Sequence, residues 1–214
     1  MRSTKHQTGL TLIELLVAMT IMAVVSAMII LTWFSLQKSY SFTANSNEQR
    51  EHARDAVARM AREIRDLQAP TGLAPVIAAE PNEFSFYTAF NLPDQLPSSQ
   101  PRAARFSYDP NKDTNTIYRQ RDGSDSDSSA ENEPAIAVMQ NVMNGQLPAG
   151  SSTPVFSYVI YKDGEQQTVP RVEGPDMQSI ISVGIHVTSD LNPGKAPNYF
   201  ELRTSAQLRN LRLH

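Results

Sequence analysis

Residues 10–34 read Leu10-Thr11-Leu12-Ile13-Glu14-Leu15-Leu16-Val17-Ala18-Met19-Thr20-Ile21-Met22-Ala23-Val24-Val25-Ser26-Ala27-Met28-Ile29-Ile30-Leu31-Thr32-Trp33-Phe34. These 25 residues hold one ionisable group, Glu14. As a helix rising ~1.5 Å per residue the stretch is about 37 Å long, enough to cross a ~30 Å hydrocarbon core. A helix in a water-soluble core is rarely apolar on every face over such a length, so the stretch reads as a membrane span. Arg2 and Lys5 precede it and no acid appears before Glu14. By the positive-inside bias the N-terminus stays cytoplasmic and the chain beyond Phe34 is translocated, a single-pass placement. A secretory signal would carry a shorter apolar region, about 7–15 residues, and then a small-residue cleavage site. Here the apolar run passes without a turn signal into a polar helix-forming segment, which marks a retained anchor.

Glu14 is the anomaly of the span. A carboxylate inside a spanning helix costs on the order of 2–3 kcal/mol, less near an end, and such a residue commonly has a partner or a role. A place at the wet interface is the plain explanation; a cation brought to that depth is the other. Cleavage after Gly9 would supply one, because a new α-amine on Leu10 lies at i, i+4 spacing from Glu14. The amine of a neighbouring subunit would serve equally well.

The segment Lys5-His6-Gln7-Thr8-Gly9-Leu10-Thr11-Leu12-Ile13-Glu14-Leu15-Leu16-Val17-Ala18 resembles the class III signal of type IV pilins and type II secretion pseudopilins. The resemblance implies a basic leader ending at Gly9, removed by a membrane-bound aspartyl prepilin peptidase that then methylates the amine of Leu10. It implies that Glu14, the fifth residue of the mature chain, pairs with a subunit's N-terminal amine during filament assembly. Leu10 departs from the family's commonest first mature residue, Phe. Pairing of this kind neutralises two charges that are each costly in lipid or in a filament core.

Composition narrows the rest. The 214 residues carry 19 basic and 22 acidic side chains, a net of −3, which speaks against a nucleic-acid binder with a large positive excess. An apolar content of 40% with 19% charged residues is globular rather than disordered. The absence of cysteine excludes a disulfide scaffold, a zinc ribbon, an iron–sulfur site and a thiol nucleophile.

No Gly or Pro occurs from Leu10 to Ala69, and Pro70 and Gly72 then supply stop signals. The second half of this stretch is amphipathic. Val57, Met60, Ala61, Ile64 and Leu67 follow helical spacing. The other face carries Glu48, Glu51, Asp55, Glu63 and Asp66 with Arg50, Arg54, Arg59, Arg62 and Arg65, a net of zero, and reads as a solvated helix face with i, i+4 pairs at Asp55–Arg59 and Arg62–Asp66. Ser41 to Asn47 is poor in strong helix formers and is a place for a break.

From about residue 82 the period changes to two. Phe84, Phe86 and Thr88 alternate with Ser85 and Tyr87, and Arg105–Tyr108 with Thr116–Arg119 flank a turn-rich connection and read as a hairpin. Val155–Tyr161 runs into Asp163-Gly164, a strong turn dipeptide. Ile181, Val183, Ile185 and Val187 form a half-buried strand, and Phe200–Ala206 forms the last. The prediction is an α+β chain: leader 1–9, transmembrane and filament-core helix 10–34, its amphipathic continuation 35–69, and an antiparallel β-sheet head 70–214, the helix stripe over 53–67 covering one sheet face. The order of these pieces, with Arg59-x-x-Arg62-Glu63-Ile64-Arg65, Phe156-Ser157-Tyr158 and Thr204-x-x-x-Leu208-Arg209-Asn210, is similar to the minor-pilin branch that includes PilW-like proteins and the J-type pseudopilins.

The sequence shows no catalytic constellation. His6, His52, His186 and His214 do not fall at metal-ligand spacing, and H-E-x-x-H, G-x-S-x-G, Walker A and G-x-G-x-x-G are absent. The acidic run Asp122–Glu131 offers Asp125, Asp127 and Glu131 as oxygen ligands for Ca²⁺ but lacks the EF-hand frame, and a solvated loop is the plainer expectation. No enzyme activity, metal or cofactor is expected. The resemblance implies a minor pilin or pseudopilin, priming or capping a type IV pilus or type II secretion pseudopilus. Its partners would be prepilin peptidase, other pilins or pseudopilins and the assembly platform of a bacterial inner membrane, with the head in the periplasm and no nucleic acid bound. The alternatives are a plain single-span anchor for a periplasmic binding domain or enzyme, and a DNA-uptake pseudopilin.

Overall fold

The computed structural model describes residues 11–89, 101–110, 115–121, 134–145, 152–191 and 199–208. The chain divides into two compact units, residues 1–47 and 48–214. One helix, α1 (Leu12–Arg65), begins in the first and contributes its residues from Glu48 onward to the second. The break considered at Ser41–Asn47 does not occur. Ser41 and Thr43 turn their hydroxyls back to the carbonyls of Lys38 and Ser39 at 3.0 Å each, so their side chains do not draw the backbone into a competing turn.

Nine strands follow among the described residues. The first sheet holds β1 (Val76–Ala79), β2 (Glu83–Thr88), β3 (Arg102–Tyr108), β4 (Ile117–Arg121) and β5 (Ile136–Met139) in that order, all antiparallel. The second holds β6 (Phe156–Lys162), β7 (Glu165–Val169), β8 (Ile180–Asp190) and β9 (Tyr199–Gln207) in the order β7-β6-β8-β9, also antiparallel. The head therefore carries two sheets where sequence periodicity offered one. The predicted hairpin is β3–β4, with Tyr108 opposite Ile117. Asp163 and Gly164 close β6–β7 with φ of 54° and 85°, the left-handed pair that a two-residue hairpin turn requires.

α1 ends at Arg65, before the proline. Leu67 bridges to Thr88 and the Gln68 amide donates to the Tyr87 carbonyl at 2.9 Å, so the backbone leaves the helix to pair along β2. On β8, Val183, Ile185 and Val187 are buried as the alternation predicts, but Ile180 takes the inward place expected of Ile181. A register shift opposite Val159 and Ile160 moves it there. On β2 the alternation fails, because Phe84 through Thr88 are all buried: Phe84 and Phe86 join the main core while Tyr87 packs with Ala103 and Ile77 in a small second cluster.

The main core joins α1 to both sheets. Ala53, Val57, Met60, Ala61 and Ile64 lie in one cluster with Phe84, Phe86, Phe106, Phe156 and Tyr158. The rings of Phe84 and Phe86 stack at 5.0 Å, and Tyr158 and Phe156 of the second sheet approach Phe84 at 5.7 and 6.1 Å. The amphipathic stripe read over 53–67 is thus the cover the strands require.

The solvated face assigned to α1 needs one correction. Glu63 is fully buried and receives Arg119 Nε at 3.0 and 2.9 Å and Nη2 at 2.7 Å, with Arg121 Nη2 at 3.6 Å. The hydrogen bonds from β4 offset the desolvation cost of burying this carboxylate. On the exposed side, Asp55–Arg59 and Arg62–Asp66 do not close among the described residues; Arg62 Nε donates to the Ala58 carbonyl at 3.4 Å instead.

Candidate functional site: the amino-terminal helix

Every residue from Thr11 to Asn45 is exposed in the isolated chain. Leu12 is 83% accessible and Trp33 67%, with Leu, Ile, Val and Met around the whole circumference between them. Burial of apolar surface is the main favourable term of folding, so a helix that leaves all of it open needs a non-aqueous surrounding. It is long and apolar enough to cross a membrane, with a mean hydropathy of 2.6 over its most apolar 18-residue window. Two of its interrupting hydroxyls are satisfied internally: Thr20 Oγ1 donates to the Val17 carbonyl and Thr32 Oγ1 to the Met28 carbonyl, both at 2.8 Å. That is what lipid demands of a polar side chain.

The start of the helix is built from two residues. Thr11 is the N-cap: its carbonyl accepts the Leu15 amide at 3.2 Å, and its Oγ1 accepts the Glu14 amide at 3.4 Å. In return Glu14 Oε2 accepts the Thr11 amide and the Thr11 hydroxyl, each at 3.2 Å. This is a reciprocal capping box, and it satisfies amides that would otherwise stay orphaned at the helix start. The carboxylate also lies at the positive end of the helix dipole.

Of the three residues singled out from sequence, Glu14 is placed in this box, while Gly9 and Leu10 lie outside the described residues, as does Asp122–Glu131. Sequence reading missed Thr11. Its signal was present, since Thr-x-x-Glu ahead of an apolar run is the capping-box pattern. Chemically, Glu14 offers a carboxylate whose Oε2 points back over the N-terminal end of the helix toward Thr11. A cation arriving at that end meets it there.

The head gathers no reaction centre among the described residues, and no group of three metal-ligating side chains occurs there. His52 lies 3.7 Å from Glu48 on α1. His186 Nε2 is 2.6 Å from Glu201 Oε1, which Arg203 also holds at 2.8 Å through Nε. Arg203 first and His186 second keep the Glu201 carboxyl below the usual carboxylate range. A cleft of about 360 Å³ beside this group includes Ser157, Gly184, His186 and Arg203, but Ser157 does not hydrogen-bond His186.

The profile of the prokaryotic N-terminal methylation motif matches residues 4–30. The amino-terminal segment therefore carries the methylation motif the sequence resemblance implies, on a helix long and apolar enough to cross a membrane. No curated protein matches the chain. Among solved structures, a type IV-like pilin from Thermus thermophilus is similar at 10% identity, covering 76% of this chain and 97% of that chain with a TM-score of 0.41. A chain of the GspK-GspI-GspJ complex of the enterotoxigenic Escherichia coli type 2 secretion system is similar at 11% identity, covering 76% and 98% with a TM-score of 0.44.

Proposed function

We propose that the chain is a minor pilin or pseudopilin, a structural subunit rather than an enzyme. Prepilin peptidase cuts between Gly9 and Leu10 and methylates the Leu10 amine. The mature chain is held in the inner membrane by residues 10–34, with residues 35–69 continuing the helix and the 70–214 head in the periplasm. It then enters a type IV pilus or type II secretion pseudopilus beside other pilins or pseudopilins, through the inner-membrane assembly platform, and primes or caps the filament. The observation that carries this is the coincidence of the methylation motif over residues 4–30 with a helical stretch, residues 11–45, that is exposed throughout and holds a single acid, Glu14, in its first turn.

In the filament, side-by-side packing of these helices covers the apolar surface that the isolated chain exposes. Glu14 meets the amine of a subunit's chain end, and two charges that would each be costly to bury are neutralised together. Loss of Arg2 and Lys5 with the leader changes the side-chain count from 19 basic and 22 acidic to 17 and 22, a net of −5 before the new amine is counted.

The test is mass spectrometry of the full chain coexpressed with prepilin peptidase. The expected result is loss of residues 1–9 and gain of one methyl group; a plain anchor would keep Met1. On the processed chain, Glu14→Val should leave membrane insertion intact and abolish recovery in sheared filaments. Normal assembly of that variant would remove Glu14 from the mechanism.

A further inference from the structure

The outer face of the second sheet carries a cleft of about 360 Å³. Its floor is Gly184, the single glycine of β8, whose neighbours Val183 and Ile185 are buried in the core. A Cβ at this position would come within 2.5 Å of Ser157 Oγ, which stands opposite on β6. Glycine therefore leaves open a place that a side chain would fill. On the β9 side His186 is paired with Arg203, and Glu201 ties the two together. Its Oε1 lies 2.6 Å from His186 Nε2 and accepts Arg203 Nε at 2.8 Å, which fixes the imidazole. Thr153 also lines the cleft, and Asn144 holds its backbone twice. The Asn144 carbonyl accepts the Thr153 amide at 2.9 Å, and the Asn144 side-chain amide donates to the Thr153 carbonyl at 3.3 Å.

Hydrogen-bonding capacity is left over at four points around this floor. Thr153 Oγ1 is buried and has no partner among the described residues. Ser157 Oγ, His186 Nδ1 and Glu201 Oε2 have none there either. A buried hydroxyl without a partner is uncommon, because it forfeits the bonds it made to water. Arg203 matches the charge of Glu201, so this pair brings no net charge to the cleft.

We propose that the cleft binds one neutral saccharide ring, its C–H face over Gly184 and its hydroxyls on Thr153, Ser157, His186 and Glu201. A sugar hydroxyl both donates and accepts, which suits donors and acceptors left unpaired within one small area. An anion in the same place meets the Glu201 carboxylate, and a cation meets Arg203. An apolar group leaves the Thr153 hydroxyl unpaired. The volume is at the lower end of small-molecule sites, about 300–1,000 Å³, and so takes a single ring. The ring is either a free sugar or one unit of a glycan chain. The site lies wholly in the second unit and does not depend on removal of the leader, so it stands or falls separately from the filament reading.

The test is calorimetric titration of the full chain in a zwitterionic detergent, since a maltoside detergent would compete. Glucose, N-acetylglucosamine, maltotetraose and chitotetraose are the probes, with acetate and inorganic phosphate as charged controls. At least one sugar should bind with a Kd on the order of 1 mM, the range open to so small a ligand, and neither anion should bind as well. A tetramer binding more than tenfold tighter than its monomer identifies a glycan chain; equal affinities identify a free sugar. Thr153→Val keeps the shape and removes the hydroxyl. It should weaken binding roughly three- to tenfold, as for one net hydrogen bond, while Tm holds or rises because an unpaired polar atom has gone. Ser157→Ala should weaken binding by a similar factor, and adding Gly184→Thr to it fills the floor without the clash and should abolish binding.

No heat from any of the four sugars at ~20 mM, well above the expected Kd, overturns the site. So does tighter binding of acetate or phosphate than of every sugar. Unchanged sugar affinity in Thr153→Val also overturns it, and that result stands even if the Ser157→Ala, Gly184→Thr chain fails to fold. A fall in Tm for Thr153→Val without loss of affinity gives the hydroxyl a structural role instead.

Discussion

Replacing Glu63 by alanine removes the carboxylate that two β4 guanidinium groups share in the interior, with side-chain exposures of only 11% for Arg119 and 10% for Arg121. Breaking a buried pair by deleting one partner costs about 3–5 kcal/mol, because the remaining charge loses its compensation. In a chain of this size a loss of that order lowers Tm by on the order of 10 °C. Thermal denaturation followed by circular dichroism should show this for Glu63→Ala and a smaller fall for Glu63→Gln, which keeps an acceptor oxygen. A change under a degree for Glu63→Ala would mean the clamp contributes nothing net. The residue also shows what sequence reading can and cannot supply. Met60, Ala61, Ile64 and Leu67 were legible as core because apolar side chains recur at helical spacing. Glu63 lies between Met60 and Leu67 in the same row, so its place was visible, but its partners sit more than fifty residues away on β4. Composition gives no reason to bury an acid until that strand is folded beside it. Thr11 is the converse case: its role is local, three residues from Glu14, and needed only the capping pattern to be seen.

Among the secondary-structure elements, turns were more legible than sheets. Asp163-Gly164 announces its hairpin because few residues tolerate two successive positive φ angles. The division of the strands between two sheets has no local signal, since it depends on long-range pairings such as β6 with β8. Two glycines separate these kinds of constraint. At Gly164, with φ of 85° and open space around it, an added Cβ meets no atom but the backbone itself is strained, so Gly164→Ala should cost about 1 kcal/mol. At Gly145 an added Cβ would come within 2.3 Å of Pro110 Cβ, an overlap that forces the chain apart and costs about 1–3 kcal/mol or more. Gly145 follows Asn144, whose side-chain amide donates to the His186 carbonyl at 2.7 Å and whose Oδ1 accepts the Thr188 amide at 2.8 Å. Displacing it therefore loosens a fully buried tie to β8. Denaturant midpoints should fall further for Gly145→Ala than for Gly164→Ala; the reverse order would show that the Pro110 segment yields freely.

At the scale of the molecule, every buried apolar residue among those described lies at Ala53 or beyond, so deleting residues 1–34 removes apolar surface without touching the core. Such a fragment should be soluble without detergent and melt within a few degrees of the full chain. Its stability should also fall steeply in alkali. Tyr158 donates its hydroxyl to the Glu80 carbonyl at 2.7 Å, and Tyr108 donates to the Val142 carbonyl at 3.1 Å. Burial pushes both phenols above their ordinary value. The Glu80 and Glu83 carboxylates push Tyr158 further; at Tyr108 the Gly145 amide opposes the rise and Asp109 adds to it. Below pH ~10 these phenols are neutral in the folded and unfolded chains alike, and their contribution is fully present. As pH rises past that value the unfolded chain releases protons that the folded chain retains. Stability then declines by up to about 1.4 kcal/mol per pH unit for each such group until the folded phenol itself ionises. Tyr158→Phe removes one of these protons. It should be less stable than the parent at pH 8, where the hydrogen bond to Glu80 is lost, yet lose less between pH 10 and 11.5. Guanidinium midpoints at pH 8, 10 and 11.5 measure both effects, and parallel decline of variant and parent above pH 10 would show that the Tyr158 phenol ionises as readily in the fold as outside it.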